Sequence, residues 1–234
     1  MGKFKDVDER YFAKRNEFSK RLQTLEPWFI ADNFPLISGQ WTIARFLAIS
    51  ELVKRVAHLP GHFVELGCWN GTNLVFLAKL LGILKPASPT EVFGFDSFEG
   101  LQHFQSGKDD ISPEHTGRYR GSLELLEEVL ALYELQDTVR LVKGSIEETL
   151  PAFLEERKDV RFSFIYLDTD LYSSTKIGLE LLYPRLLKGG IVVFDEYNLP
   201  EWPGETTAVH DVLGEEAVLH MVPGTRQPTA YLVK

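Results

Sequence analysis

Residues 162–170 read FSFIYLDTD, and residues 189–196 read GGIVVFDE. Each is a short apolar run that stops abruptly at carboxylates. Apolar runs without polar alternation are expected where a strand is covered on both faces. Comparable runs occur at 62–66, 91–95 and 138–142, and later at 217–222 and 230–233. Helix-like segments lie between or beside them at 72–82, 122–135, 145–155, 173–187 and 206–213. This alternation predicts an α/β fold, a doubly wound, mostly parallel sheet with helices on both faces. No long helix separates the last two strands, which predicts an antiparallel hairpin at the C-terminal edge.

Upstream the pattern is different. Residues 6–25 are charged, with Phe12, Phe18 and Leu22 at irregular helical spacing, and read as a surface helix ended by Pro27. Residues 28–38 are apolar but broken by Asp32, Asn33 and Pro35, which predicts an ordered loop. A second helix is expected over 40–58, with the triplets Ile43-Phe46-Leu47 and Ile49-Leu52-Val53. Residues 1–60 are thus expected to form a helical segment packing on the site, part of the same domain as 61–234. The apolar stretch 28–36 would cover either the chain's own site or that of a neighbouring copy in a homo-oligomer, and both stay open.

The 234 residues suffice for one large domain. With 25 basic against 34 acidic residues, the net charge of −9 lacks the footprint of a nucleic-acid binder. The single cysteine, Cys68, excludes an internal disulfide or a Cys-rich zinc site. The longest apolar stretch, 74–84, is interrupted by Lys79 and is too short for membrane insertion. The first residues, MGKFKDVDERYFAKR, are charged where a signal peptide is apolar, so a soluble, cytoplasmic protein is expected.

Ligands of open α/β sheets sit outside the carboxyl ends of the strands. The first strand ends in Glu65-Leu66-Gly67-Cys68-Trp69-Asn70-Gly71-Thr72. Its glycines permit a tight turn and close approach of a ligand to the backbone. The spacing is neither the dinucleotide fingerprint nor a Walker loop, and a plain glycine turn is the alternative. The second strand ends in Asp96-Ser97, where an acid is placed to accept both hydroxyls of a ribose. A helix or turn cap is the plainer role for Asp96. The loop after the third strand offers Ser145 or Ile146 to an adenine, with a helix N-cap at Ser145 as the alternative.

The fourth strand leads into Asp168-Thr169-Asp170 and the fifth into Asp195-Glu196. Neighbouring strands would bring Asp168, Asp195 and Glu196 together. Carboxylates at close range need a counter-charge or raised pKa values. Oxygen-only ligands favour a hard cation, Mg²⁺ or Ca²⁺, with Mn²⁺ also compatible. The alternative is that some cap helices and others face solvent. Asp170 shares a face with Asp168 if the chain is still extended there, and is the preferred base for a substrate hydroxyl, ahead of His115 and His210. The long polar segment 102–119 follows a binding-site strand and reads as a lid or specificity loop, or as a disordered surface loop.

Together ELGCWNGT, GFDSFEG and LLKGGIVVFDEY resemble a class I S-adenosylmethionine-dependent methyltransferase. FDSFEGL and the stretch from YLDTDLYSS to FDEYNLPEWPGETTAVHDV resemble, more narrowly, the macrocin O-methyltransferase type, over most of the chain from about Phe34 onward. The resemblance implies a Rossmann-like, seven-stranded sheet and a Mg²⁺-dependent transfer of methyl to a sugar hydroxyl of a nucleotide sugar, glycoside or polysaccharide. S-adenosylmethionine would be held by Glu65, Gly67, Cys68, Trp69, Asn70, Gly71, Asp96, Ser97, Ser145, Ile146 and Asp168. The cation would be held by Asp168, Asp195 and Glu196, and Asp170 would be the catalytic base. DTD stands where many relatives have DGD, so Thr169 adds a side chain near the metal. Arg45 either pairs with the donor's carboxylate or forms a surface ion pair. A metal-dependent O-methyltransferase of a catechol-like phenol is the nearest rival. From another class, a nicotinamide-dependent oxidoreductase lacks the third glycine of its fingerprint here.

Overall fold

The computed structural model describes residues 5–110 and 112–234. Residues 1–4, the start of the charged stretch MGKFKDVDERYFAKR, and Ile111 of the expected lid lie outside the described residues. The chain divides into two compact units, one ending at Ile43 and one running from Ala44 to Lys234.

The first unit is helical. It contains α1 (Lys5–Leu22), α2 (Pro27–Asp32), α3 (Phe34–Ile37) and the start of α4 (Gln40–Val56). The loop expected over 28–38 is instead this pair of short helices. Each begins with proline in its first turn, where a missing N–H costs nothing. Glu26 caps α2 by accepting from the Phe29 amide at 2.9 Å. Pro27 therefore opens a helix as well as following one. Tyr11 of α1 packs edge-on against Trp41 at 5.7 Å.

The second unit holds the sheet. Its strands are β1 (His62–Leu66), β2 (Val92–Asp96), β3 (Val139–Lys143), β4 (Phe162–Leu167), β5 (Leu186–Phe194), β6 (Leu219–Met221) and β7 (Ala230–Val233). The order is β3-β2-β1-β4-β5-β7-β6. The first five strands pair in parallel, β7 runs antiparallel to β5, and β6 runs antiparallel to β7. This is the expected Rossmann-like, seven-stranded sheet with an antiparallel C-terminal edge. The helices are α5 (Thr72–Leu84), α6 (Leu123–Leu132), α7 (Ile146–Glu156), α8 (Tyr172–Leu182) and α9 (Pro203–Leu213). The helix expected to reach residue 187 stops at Leu182. Pro184 falls in a single 3₁₀ turn, and β5 already begins at Leu186.

Strand alternation splits the core between the two faces of the sheet. Phe63, Phe164, Tyr166, Ile191 and Val193 join one cluster, with Ile49, Leu52 and Val53 of α4 and Leu74 and Leu77 of α5. Val64, Leu66, Phe95, Ile165, Leu167, Val192 and Phe194 join the other, with Leu150 of α7, Leu179 of α8 and Val209 of α9. Burying each large apolar side chain contributes about 1.5–3 kcal/mol before entropy is counted. Of the two triplets expected in α4, Ile49-Leu52-Val53 is buried whereas Leu47 stays exposed. Gly178 brings α8 close to β1, since a β-carbon there would lie 2.5 Å from Leu66 Cδ1.

Register fixes the site. Leu66 pairs with Leu167, and Leu167 pairs with Phe194. The residues that follow, Gly67, Asp168 and Asp195, therefore leave the sheet side by side. They do so where strand order reverses between β1 and β4, the switch point at which open α/β sheets bind ligands.

Candidate active site

The loop after β1 turns sharply, with Gly67 at φ +85°, Trp69 at +48° and Gly71 at +74°. A β-carbon on Gly67 would overlap the Asp168 carbonyl oxygen, so the loop can lie against the end of β4 only with glycine there. Gly71 precedes α5 in the left-handed conformation and leaves the first amides of that helix unpaired within it. Asp96 holds the loop from the neighbouring strand. Its Oδ2 accepts from the Trp69 amide at 2.7 Å and its Oδ1 from the Phe98 amide at 2.6 Å. Burial raises the Asp96 carboxyl while these amide hydrogen bonds pull the other way. The turn-holding alternative is thus present in the geometry. A carboxylate has about four acceptor positions, so these amides leave capacity for a ribose hydroxyl.

The other expected donor residues divide into exposed and buried groups. Trp69 is 48% exposed, and Asn70 is exposed beside it. Cys68 is buried, its thiol directed toward the Phe95 carbonyl oxygen at 3.6 Å, so only its backbone belongs to the loop surface. Glu65 is buried in β1 and accepts from Asn73 Nδ2 at 3.1 Å. Burial pushes its carboxyl up to about 8. Its Oε2 and Asn73 Oδ1 are buried without a partner among the described residues. Ser97 Oγ accepts from the Glu99 amide at 3.1 Å. Ser145 precedes α7 but does not cap it with its side chain; its hydroxyl donates to Glu147 Oε2 at 2.6 Å. Ile146 points into the core below.

The carboxylates converge as expected. Asp168, Asp195 and Glu196 each present an oxygen within 4.8 Å of the others. Burial and mutual repulsion raise Asp168 and Glu196 well above the ordinary carboxylate range. Asp170 joins them by a different route from the one expected. The strand ends at Leu167 and Asp170 sits at φ +59°, so the chain is no longer extended. Its carboxyl meets that of Glu196, and burial and Asp195 push it up to about 7. Thr169 does not face the carboxylates. Its hydroxyl is buried 2.7 Å from Thr175 Oγ1 in the first turn of α8.

Several partners of the cluster were not legible in the sequence. Tyr166 of β4 donates its hydroxyl to Asp195 Oδ1. Gln227, from the β6–β7 connection, donates to Glu196 Oε1 at 2.8 Å. Glu205 of α9 is fully buried and accepts from the Glu196 amide at 2.9 Å. Its Oε2 and Glu196 Oε2 are both buried with no hydrogen-bond donor among the described residues. Arg45 of α4 spans two carboxylates, with Nη2 at 3.0 Å from Asp168 Oδ2 and Nη1 at 2.8 Å from Asp195 Oδ1. It is therefore part of the carboxylate cluster and not a surface pair. Glu205 was the most accessible to sequence reasoning, as an acid opening the helix after the Asp-Glu strand end.

A wall of aromatic side chains stands beside the carboxylates. Tyr119, 40% exposed, packs on Trp69 at 6.0 Å and on Trp202 at 6.2 Å. The Arg118 guanidinium lies 5.1 Å from the Tyr119 ring centroid and 5.9 Å from that of Trp202. Described residues of the segment 102–119, which carries Arg118 and Tyr119, are tied by hydrogen bonds to the rest of the fold. The Leu101 amide donates to the Arg118 carbonyl at 2.8 Å. Asp109, also in this segment, accepts from the Tyr172 amide at the start of α8 and from the Gln105 amide. The two rival bases are engaged elsewhere. His115 packs on Trp202 at 4.9 Å and bonds Arg118, and His210 bonds the Tyr197 hydroxyl.

The residues present fit a divalent cation. The cluster supplies hard oxygen donors, the buried Glu196 Oε2 lacks a partner, and Arg45 alone forms ion pairs with it among the described residues. They also fit a nucleoside sulfonium, through the left-handed glycine loop, the free acceptor positions of Asp96 and the unpartnered Glu65 Oε2. Among the described residues no helix is long and apolar enough to cross a membrane.

Relatives share this architecture. The chain is 34% identical over 166 residues to the 8-demethyl-8-(2,3-dimethoxy-alpha-L-rhamnosyl)-tetracenomycin-C 4'-O-methyltransferase of Streptomyces olivaceus, covering 68% of this chain and 60% of that protein. It is 28% identical over 150 residues to the mycinamicin III 3''-O-methyltransferase of Micromonospora griseorubida, covering 61% and 57%. The matches thus span about 60% of these curated relatives' own length. The crystal structure of the calicheamicin methyltransferase CalS11 superposes with a TM-score of 0.86 at 32% identity, covering 95% of this chain and 91% of that one. Its apo form, described as a TDP-rhamnose 3'-O-methyltransferase, gives 0.78 at 32% identity, covering 95% and 93%. Residues 32–219 match the family described as macrocin-O-methyltransferase, and the chain belongs to that family.

Proposed function

We propose that this chain is a Mg²⁺-dependent S-adenosylmethionine O-methyltransferase acting on a sugar hydroxyl. The observation that carries the reading is the meeting of Asp168, Asp195 and Glu196 beside the left-handed glycine loop at the β1/β4 switch point. Family membership supports methyl transfer. The relatives' named acceptors, a rhamnosyl tetracenomycin, a mycinamicin and TDP-rhamnose, support a sugar.

Methyl transfer from a sulfonium is an in-line displacement, so most of the acceleration comes from holding donor and hydroxyl close and aligned. S-adenosylmethionine, held there, would supply the methyl group from its sulfonium, with neutral S-adenosylhomocysteine as the leaving group. The glycine loop and Asp96 would hold it, with Ser97, Ser145 and the backbone of Ile146 at the adenosine end. Mg²⁺, when bound, makes the acceptor hydroxyl more acidic and fixes its direction. Asp168, Asp195 and Glu196 would hold that cation, with Tyr166, Gln227 and Glu205 orienting them. Asp170 would take the hydroxyl proton as the carbon–oxygen bond forms. Trp69, Tyr119 and Trp202 would receive the apolar face of the sugar and help to exclude water.

The test is transfer of labelled methyl from S-adenosylmethionine to a panel of deoxysugar nucleotides, rhamnosyl glycosides and catechols, with and without EDTA. The expected result is labelled sugar product that disappears with EDTA and returns with Mg²⁺. Labelling confined to catechols, or labelling of sugars untouched by EDTA, would overturn the reading.

A further inference from the structure

We propose that Arg45 is a built-in counter-cation of the carboxylate cluster and competes with the divalent cation for Asp168 and Asp195. The inference rests on the metal-dependent reading above. Its observation is the bridge itself. One guanidinium reaches from α4 to the ends of two different strands, at 3.0 Å from Asp168 Oδ2, and at 2.8 Å and 3.1 Å from Asp195 Oδ1 and Oδ2. Two of the three carboxylates that would hold the cation are therefore already accepting from a fixed positive charge.

Two further features make the bridge a competitor rather than a bystander. A guanidinium does not deprotonate in a protein, so its charge leaves the cluster only if the side chain moves. The side chain is 25% exposed and lies over the Tyr166 ring at 5.7 Å, so it is not sealed inside the cluster. The cluster is also incompletely served. Among the described residues Glu196 Oε2 and Glu205 Oε2 are buried with no donor, and Arg45 reaches neither carboxylate in an ion pair. Arg45 thus offsets the Asp168 and Asp195 side of the cluster and leaves the Glu196 side to attract a cation. A metal ion entering there meets a like charge already engaged with its other ligands. The protein keeps a charge-compensated cluster without metal, and binds the metal more weakly than its carboxylates alone would allow.

The experiment titrates Mn²⁺ into EDTA-stripped full-length wild type and Arg45→Gln, reading free Mn²⁺ by electron paramagnetic resonance. S-adenosylhomocysteine is titrated into both by calorimetry. The expected result is Mn²⁺ affinity about tenfold or more tighter in Arg45→Gln. The stripped variant should melt below stripped wild type, with a larger rise in Tm on adding Mn²⁺. S-adenosylhomocysteine affinity should stay within about twofold of wild type, since a bystander of the donor site couples only weakly. Equal or weaker Mn²⁺ binding in Arg45→Gln would overturn the proposal. Unchanged Mn²⁺ binding with a large loss of S-adenosylhomocysteine affinity would assign Arg45 to the donor instead. Mn²⁺ binding by the variant alone would support the proposal in its strongest form. Absence of binding in both proteins would remove the metal-dependent reading and the proposal with it, whereas binding in wild type keeps that reading whatever Arg45 does. Should Arg45→Gln fail to fold, the arginine side-chain ¹⁵N signals of wild type carry the test. Release of Arg45 by saturating Mg²⁺ would free its slowed guanidinium rotation, and unchanged signals would overturn the proposal.

Discussion

Replacing Asp168 by Asn is expected to lower kcat about 10³-fold, roughly 4 kcal/mol of transition-state stabilisation, and to abolish Mn²⁺ binding in the micromolar range. The change keeps the shape of the side chain and an acceptor for Arg45 Nη2, now 3.0 Å from Asp168 Oδ2. It removes one of the three carboxylates that meet within 4.8 Å. The fold has no reason to suffer. Asp168 is held well above its usual range by burial and by Asp195, so neutralising it relieves repulsion among buried carboxylates. The EDTA-treated variant should therefore melt within a few degrees of wild type. Full activity in Asp168→Asn after chelation would show that the cluster is a charged structural feature and not a metal site. A variant that unfolds would show that the Arg45 bridge outweighs the repulsion.

Asp170→Asn should have the second largest effect, a fall in kcat of about 10²–10⁴-fold, the usual range for a general base. The carboxyl is pushed up to about 7 by burial and Asp195, opposed by Glu196 and by Arg118. It must be ionised to accept a proton, so the rate should climb with pH through an acid limb in wild type. A cation held beside it moves that limb to lower pH. The limb should be absent from the residual activity of Asp170→Asn. Stability carries the opposite sign. The folded carboxyl, at about 7 against an ordinary 3.8, binds its proton more tightly than the unfolded chain does. Metal-stripped wild type should lose stability as pH rises through that interval, because the charge then forms in a buried place. Asp170→Asn should show a shallower loss. A variant with an unchanged acid limb would move the role of base to another residue.

Much of the architecture was legible because both faces of the sheet are covered. The runs FIYL and IVVF stood out as uninterrupted apolar stretches, and the glycine turn and acidic strand ends followed each at the right place. Strand adjacency then brought Asp168 and Asp195 together without further information. Short helices were harder. Pro27 and Pro35 read as breakers, yet each sits in a first helical turn. The end of α8 is not legible because Leu186 and Leu187 continue the apolar pattern of the helix after Pro184 has already broken it.

The site divides along the same line. Residues within one strand-end motif were found, since backbone connectivity places them. Residues that meet the cluster from far along the chain were not. Arg45 lies 123 residues before Asp168 and 150 before Asp195, and Gln227 lies 31 after Glu196. Only the packing of α4 and of the β6–β7 connection delivers them. Asp170 is the expected base on chemical grounds, but the extended geometry on which its alignment with Asp168 depends is absent. The extended chain that would align it with Asp168 ends at Leu167, and a left-handed turn directs its carboxyl to Glu196 instead. Polar groups buried without partners, such as Glu205 Oε2, carry no periodic signature at all.

The most direct measurement is calorimetry on the EDTA-stripped chain. S-adenosylhomocysteine is titrated with and without Mg²⁺, and a methyl-accepting sugar is then titrated into each complex. Donor-product binding that ignores the metal, with acceptor binding that requires it, is the result expected of a glycine-loop donor site beside a carboxylate cation site. Acceptor binding of equal strength without Mg²⁺, or no binding of S-adenosylhomocysteine in either state, would contradict that account.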